Sequence, residues 1–502
     1  MMGILRNFRR GLWILLLIFL AGCGREISPA PISPDFALQT PPPVEAETPE
    51  FPIEPAFGGH LRIAMPMPQT LNPLLNSCPQ TAQILRLIFE PLSVLAENIT
   101  FAPSGQSLAI TLKDDIFWED DMPITAADIA FSIDTLRNHA PETAVYRPNV
   151  AAIASHNIVD PRTIHINLDA PMWQFMYLLD FPIIPAGYYS GVPMTNLRAA
   201  RNMHPVGNGP FRFFSYVLAT RLELIANENA ARGRPYIERV TATVLRDFSD
   251  ATHAFERGMT DILAGYAADL GRFRALGKNY VGTIPGQNLD FIGFNHARPI
   301  FGEIAMRAVI NNPSIEAFAE LGFEVGEDGI LERRIAPALP PIPLNLTIIV
   351  NNENLRTLTI AKNLYYELLE TGANTRLYEL IPADFHARLS SGDFDLAIGT
   401  ITLQNPLNLE FLRTGNQAAG NYFSHNSAEF NRLLDTTNLA PNEAALNAAA
   451  ANLRAYMSEN LPIISLGFDD RAIFASPRLH GNLAPAGRNI FHNVAEWFIV
   501  DN

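Results

Sequence analysis

Nine prolines fall within the 33 residues from Gly24 to Ala56, three of them consecutive at Pro41-Pro42-Pro43. Proline fixes φ and removes a backbone donor, so such a stretch favours extended polyproline II over a packed core. Glu45, Glu47, Glu50 and Glu54 make it a charged spacer as well. At about 3.1 Å per residue it reaches on the order of 100 Å when extended. The folded part is therefore expected over residues 57–502. That length predicts two or more domains with ample apolar chain. A hydrophobic fraction of 48% against 17% charged residues reads as globular.

Upstream of the spacer, Arg6, Arg9 and Arg10 precede an apolar run from Leu12 to Leu20, which ends in Ala21-Gly22-Cys23. A positive start, a short apolar run and small residues before a cut site predict a secretory signal over 1–22. The run is too short to span a bilayer core of about 30 Å comfortably. Leu20-Ala21-Gly22-Cys23 resembles the bacterial lipobox, which implies lipid on Cys23 and an extracytoplasmic domain tethered to the cell membrane by the linker 23–56. Removing 1–22 would take away three Arg and no acid, shifting the net charge from −15 to −18. So acidic a chain disfavours a nucleic-acid partner, because phosphate binding needs a basic surface. Two Cys exclude a disulfide framework and a thiolate zinc site from this chain alone. Cys78 reads as a small buried apolar residue.

Along 57–502, strands and helices interleave. Leu61, Ile63 and Met65 alternate with polar or small residues, a period-two strand. Further strands are predicted at 108–112, 163–168, 209–216, 221–226, 239–244, 291–294, 344–350 and 395–398. Helices are predicted at 81–89, from Thr125, and at 252–257, 303–310, 355–371, 383–389, 429–434 and 443–459. Thr125-Ala126-Ala127-Asp128 matches a capping box with Asp in place of Glu, and Gly372 stops the long helix. The pattern is that of an α/β protein with at least two lobes.

Catalytic constellations are not visible in the sequence. No nucleophile elbow or Walker loop occurs, and no two of the eleven His stand four apart. Glu119-Asp120-Asp121 reads as a solvated turn, and Asp393 with Asp395 as a turn acid followed by a strand-end acid. No enzyme activity, cofactor or metal site is expected.

Several ordered stretches resemble the extracellular solute-binding proteins of family 5, the peptide-binding lipoproteins of bacterial ABC importers. They include Gly58-Gly59-His60-Leu61-Arg62-Ile63-Ala64, Thr70-Leu71-Asn72-Pro73, Pro123-Ile124-Thr125-Ala126-Ala127-Asp128, Pro205-Val206-Gly207-Asn208-Gly209-Pro210-Phe211 and Ser391-Gly392-Asp393-Phe394-Asp395. The resemblance implies a two-lobed periplasmic-binding-protein-like fold with a hinge. Lobe I would span 57–285, with an extra subdomain at 81–200. Lobe II would span 286–477, and 478–502 would return to lobe I. It further implies a monomer that closes on a peptide or similar small solute and presents it to a membrane permease. Candidate ligand contacts are Gln69, Thr70, Asn76, Arg356, Thr402, Leu403, Gln404 and Asn405. Gly207 and Gly209 would form a hinge turn in which glycine supplies positive φ.

One departure matters. Family peptide binders place an Asp four residues before a Pro, and it pairs with the peptide amine. Here Thr402 and Leu403 fall at that place, no acid lies between Asp395 and Glu410, and Thr400 replaces the family's Trp. An amine would be buried without a charge partner, which costs several kcal/mol. A sensor or structural lipoprotein on the same fold, or a binder of a non-peptide solute, is the alternative expectation. A neighbouring permease gene separates the importer from the sensor.

Overall fold

The computed structural model describes residues 54–403, 407–415 and 420–500. Strand β1 (His60–Met65) buries Leu61, Ile63 and Met65. Helix α1 (Pro79–Leu85) is capped by Cys78, which is half-buried rather than in the core; its thiol lies 3.3 Å from Gln80 Oε1. Strands β2 (Ala96–Phe101), β3 (Ser107–Leu112), β4 (Ile153–Asp160) and β5 (Thr163–Leu168) form an antiparallel sheet in the order β2-β3-β5-β4.

Helix α2 (Ala126–Asn138) packs between β3 and β4 in sequence, and its start works as predicted. The Thr125 N–H and hydroxyl both donate to Asp128 Oδ2, at 2.8 and 3.1 Å. Asp128 Oδ1 accepts a third bond from the Ala186 N–H at 2.7 Å. One short carboxylate thus caps the helix and pins a distant segment, which a longer Glu would overshoot.

Strands β6 (Phe211–Val217), β7 (Arg221–Ala226) and β8 (Arg239–Val244) bring the chain back to β1. Their sheet has the order β1-β8-β7-β6, with β1 and β8 parallel. Helix α3 (Phe248–Glu256), β9 (Ile262–Gly265) and β10 (Asn279–Ile284) complete this part.

The second lobe is a five-stranded sheet. It is opened by β11 (Asn288–Phe294), followed by α4 (Ile304–Asn311) and a small sheet of β12 (Phe323–Val325), β13 (Leu331–Arg333) and β14 (Ile342–Pro343). A βαβ unit follows: β15 (Asn345–Asn351), α5 (Leu355–Glu370) and β16 (Asn374–Leu380). After α6 (Pro382–Ser391) and β17 (Leu396–Thr402) come α7 (Ala428–Asn438), α8 (Glu443–Asn460) and β18 (Ile463–Phe468). The strand order is β16-β15-β17-β11-β18. Phe294, Ile348, Val350 and Ile398 face α4 and α5, whereas Phe291, Ile349 and Ala397 face α7 and α8. Both faces are covered, which is why Ile348-Ile349-Val350 reads as a continuous apolar run.

The last long-range strand corrects a boundary. β19 (Arg471–Ala475) pairs with β9 and β10, so the chain rejoins the first lobe's sheet at Arg471, earlier than the expected 478. The strands that sequence periodicity passes over have physical reasons for their silence. β4 is an exposed edge with almost no buried face, and β9 is only four residues long.

Candidate functional site

Two short segments join the lobes: residues 285–287, between β10 and β11, and residues 469–470, between β18 and β19. They are bonded to each other. Asp470 Oδ1 accepts from the Gly286 N–H at 2.8 Å, and Asp469 accepts from the Asn288 N–H at 3.0 Å and from its amide at 2.7 Å. A Cβ at Gly286 would stand 2.1 Å from Asp469 Oδ1, so only glycine permits this approach.

Strand register shows what faces the double crossover. In lobe I, Ile284 pairs with Arg471 and Gly265 with Ala472, so β9 and β10 end there. The Arg471 guanidinium lies 4.0 Å from the centre of the Tyr266 ring, just after β9. It lies 5.7 Å from the Phe248 ring, just after β8. In lobe II, Thr402 at the end of β17 pairs with Asn288, and β15 and β16 run parallel to β17, ending at the same edge. Both lobes therefore bring carboxyl strand ends to the crossover: β9 and β10, each antiparallel to β19, in lobe I, and the parallel β15, β16 and β17 in lobe II. Ligands of open α/β sheets bind outside those ends.

The sequence-predicted residues divide here. Thr402 and Leu403 do lie at the crossover: the Thr402 hydroxyl donates to Asn288 Oδ1 at 2.7 Å, and the Leu403 N–H donates to the Gln287 carbonyl at 2.8 Å. Leu403 is buried. Gln404 and Asn405 lie outside the described residues, as does Cys23. Gln69 is exposed on the segment that leaves the end of β1. Thr70 and Asn76 are buried and their polar atoms are spent locally. Thr70 donates to the Asn202 carbonyl and accepts from the Asn72 N–H, and Asn76 closes a turn onto Cys78. These two hold a loop and have no free group to offer a solute.

Arg356 is an exposed residue in the first turn of α5, but its head group is engaged. Its Nε stands 2.6 Å from Asp290 Oδ2, and its NH2 group donates to the Phe468 carbonyl at 3.2 Å. Asp290 is 2% exposed in the middle of the lobe II sheet. The Thr400 hydroxyl donates to its other oxygen at 2.6 Å and accepts from the Asn354 amide at 2.9 Å. The residue at the family's Trp place thus belongs to a polar chain, Arg356–Asp290–Thr400–Asn354, of which Asp290 is the buried member. Sequence reasoning missed Asp290, because a lone acid inside an apolar strand carries no spacing signal. It missed Tyr266 and Arg471 because the strands that position them were not detected.

Gly207 and Gly209 lie elsewhere, against Ile88 in lobe I. Neither has positive φ. A Cβ on Gly207 would stand 2.1 Å from the Ile88 carbonyl oxygen, and one on Gly209 2.6 Å from its carbonyl carbon. The reason for glycine is close backbone approach, with the Asn208 and Gly209 N–H groups both donating to Ile88, and nothing in this turn spans the two lobes. Beside it, Glu119 is not the solvated residue expected; burial pushes its carboxyl up to about 7, opposed by a 3.3 Å bond from the Gly207 N–H. Asp393 and Asp395 are structural as expected: Asp395 accepts from the Thr347 N–H at 2.8 Å and pairs with Arg298, and Asp393 pairs with Arg388. Among the described residues no group of acids, His and Cys could hold a metal, and no helix is long and apolar enough to cross a membrane.

Comparison with known proteins agrees with this architecture. Residues 90–312 match the model of the bacterial extracellular solute-binding proteins, family 5 Middle. A Brucella ovis protein named as an ABC transporter peptide-binding protein is 27% identical over 234 residues, 44% of each chain. Heme-binding protein A of Haemophilus influenzae is 28% identical over 157 residues, 30% of this chain and 29% of its own. These matches span less than half the length of the curated relatives. The fold extends further. The ABC transporter substrate-binding protein CtaP of Listeria monocytogenes superposes with a TM-score of 0.71 at 18% identity, covering 89% of this chain and all of its own. HbpA2 of Haemophilus parasuis gives 0.70 at 18% identity, with the same coverage. Over residues 90–312 the chain carries the sequence pattern of the family 5 extracellular solute-binding proteins, and its fold is their two-lobed one.

Proposed function

We propose that this protein is the substrate-binding component of an ABC importer, capturing a peptide or similar small polar solute between its lobes and delivering it to a membrane permease. The observation that carries this reading is the meeting of the carboxyl strand ends of both lobes at a two-segment crossover. Such a joint has few covalent links, so the lobes can close around a solute by small changes at a few residues. The residue signature over 90–312 supports it. Residues 57–285 with the returning C-terminal segment act as lobe I and the five-stranded sheet as lobe II. Residues 1–22 direct export, Cys23 carries lipid, and 23–56 tether the domain outside the membrane. The function is binding rather than catalysis.

The test is native mass spectrometry of the full mature chain, extracted in mild detergent and incubated with mixed short peptides. A retained mass that leaves on gentle unfolding and fragments as a peptide supports the reading. A chain that stays apo with every mixture overturns peptide import. The anchor is tested separately: Cys23→Ala should move the exported protein from the membrane to the soluble fraction.

A further inference from the structure

The carboxylates at the crossover are engaged. Asp469 and Asp470 hold Asn288 and Gly286, Asp290 is paired with Arg356, and Asp269 accepts from the Tyr266 N–H. Around the same edge Asp247 caps α3, and Asp250 pairs with Arg246. Glu353 sits exposed at the tip of the loop after β15.

Arg471 differs from all of these. Its guanidinium packs on Tyr266 at 4.0 Å and near Phe248 at 5.7 Å, and the two rings meet edge to face at 5.6 Å. Those are π contacts, which hold the plane of the group, and among the described residues no carboxylate pairs with its N–H edge. Phe248 and Tyr266 are both more than a third exposed, so the platform is accessible to solvent beside the crossover. It stands at the first residue after the crossover, where the carboxyl ends of β8 and β9 converge. A stacked guanidinium is pre-organised for two parallel hydrogen bonds to a carboxylate.

We propose that Arg471, held by Tyr266 and Phe248, is the lobe I receptor for a carboxylate of the bound solute. This rests on the solute-binding reading above and narrows it: the solute is selected by an acid group rather than by a free amine. Arg356, the other arginine at this edge among the candidate contacts, is committed to Asp290.

The experiment uses the full mature chain and one peptide mixture prepared in four forms: free, N-acetylated, C-amidated and doubly blocked. Native mass spectrometry and calorimetry read retention. Amidation should weaken binding about tenfold or more, as expected for loss of a charge-assisted pair, and acetylation less than about twofold. Arg471→Gln should abolish the difference between free and amidated forms while leaving the unfolding midpoint near wild type. Peptides that bind equally well when amidated, or that demand a free amine, overturn the proposal but leave the import reading standing. Failure of all four forms to bind overturns both.

Discussion

Asp290 shows what a single buried acid demands of its surroundings. It lies in β11, an interior strand of lobe II, and among the described residues it pairs with one cation, Arg356, whose side chain is 41% exposed. Removing that partner leaves a carboxylate in a low-dielectric sheet. Arg356→Met should therefore destabilise the protein by about 2 kcal/mol, below the 3–5 kcal/mol typical of fully buried pairs because water reaches this one. Urea unfolding at pH 7 checks this, and a change under about 0.5 kcal/mol would show the pair to be idle.

Three partly or wholly buried groups contribute to the pH dependence. Burial, chiefly, pushes His296 down to about 4 despite its 2.9 Å bond to the Pro462 carbonyl, and His425 beside it is lowered for the same reason. The folded state thus holds these rings neutral where the unfolded chain would already be protonated. Stability should fall as pH drops from about 6.5 toward 4, by up to about 1.4 kcal/mol per pH unit for His296, and His425 adds to the fall in the same direction. Glu119 acts in the opposite sense. Its raised folded value means that its contribution is full below the ordinary carboxylate range and is lost as pH rises through about 7. Glu119→Gln should be more stable than wild type at pH 8 and indistinguishable at pH 4. Equal urea midpoints at pH 8 would remove Glu119 from the account.

At the scale of elements, the central strands and long helices of this protein are legible because burial imposes period. β5, β7 and β8 occupy the residues that alternation predicts, 163–168, 221–226 and 239–244, and α5 departs by a residue from its expected end before Gly372. β4 and β9 are not legible, the first because an edge strand has no buried face to record and the second because four residues hold no period. The Gly207–Pro210 turn shows a right residue type with the wrong reason attached. Its glycines are required by the Ile88 backbone, which belongs to a segment more than a hundred residues earlier. Gly207→Ala should cost about 3 kcal/mol or more, since the clash is with backbone and cannot relax by a rotamer change. A midpoint within about 0.5 kcal/mol of wild type would mean that the two segments part easily.

At the scale of the molecule, the lobes meet a second time away from the crossover. The Trp173 N–H donates to the Ala440 carbonyl at 2.9 Å, and Gly105, at φ +70°, lies so close to Pro441 that a Cβ would stand 2.9 Å from its Cα. This contact joins the β2–β3 turn of lobe I to the α7–α8 connection of lobe II. Gly105→Val adds left-handed strain and a direct clash, at about 1–3 kcal/mol. It should open the lobes, raising the radius of gyration of the solute-free protein in small-angle scattering. An unchanged radius would show that the contact does not set the lobe angle.

The sequence by itself determined the alternation of helices and strands, the capped start of α2 and the ordered family pattern, because each is written in neighbouring residues. It also marked Thr402 and Leu403 as lying near the lobe boundary. Only the tertiary structure decided which polar groups are already spent. Asn76 is consumed by its own turn, Thr70 by the Asn202 carbonyl 132 positions away, Arg356 by an acid 66 positions away, and Arg471 is held by rings from two other strand ends. Engagement of a side chain depends on partners distant in sequence, and no local period or spacing records them.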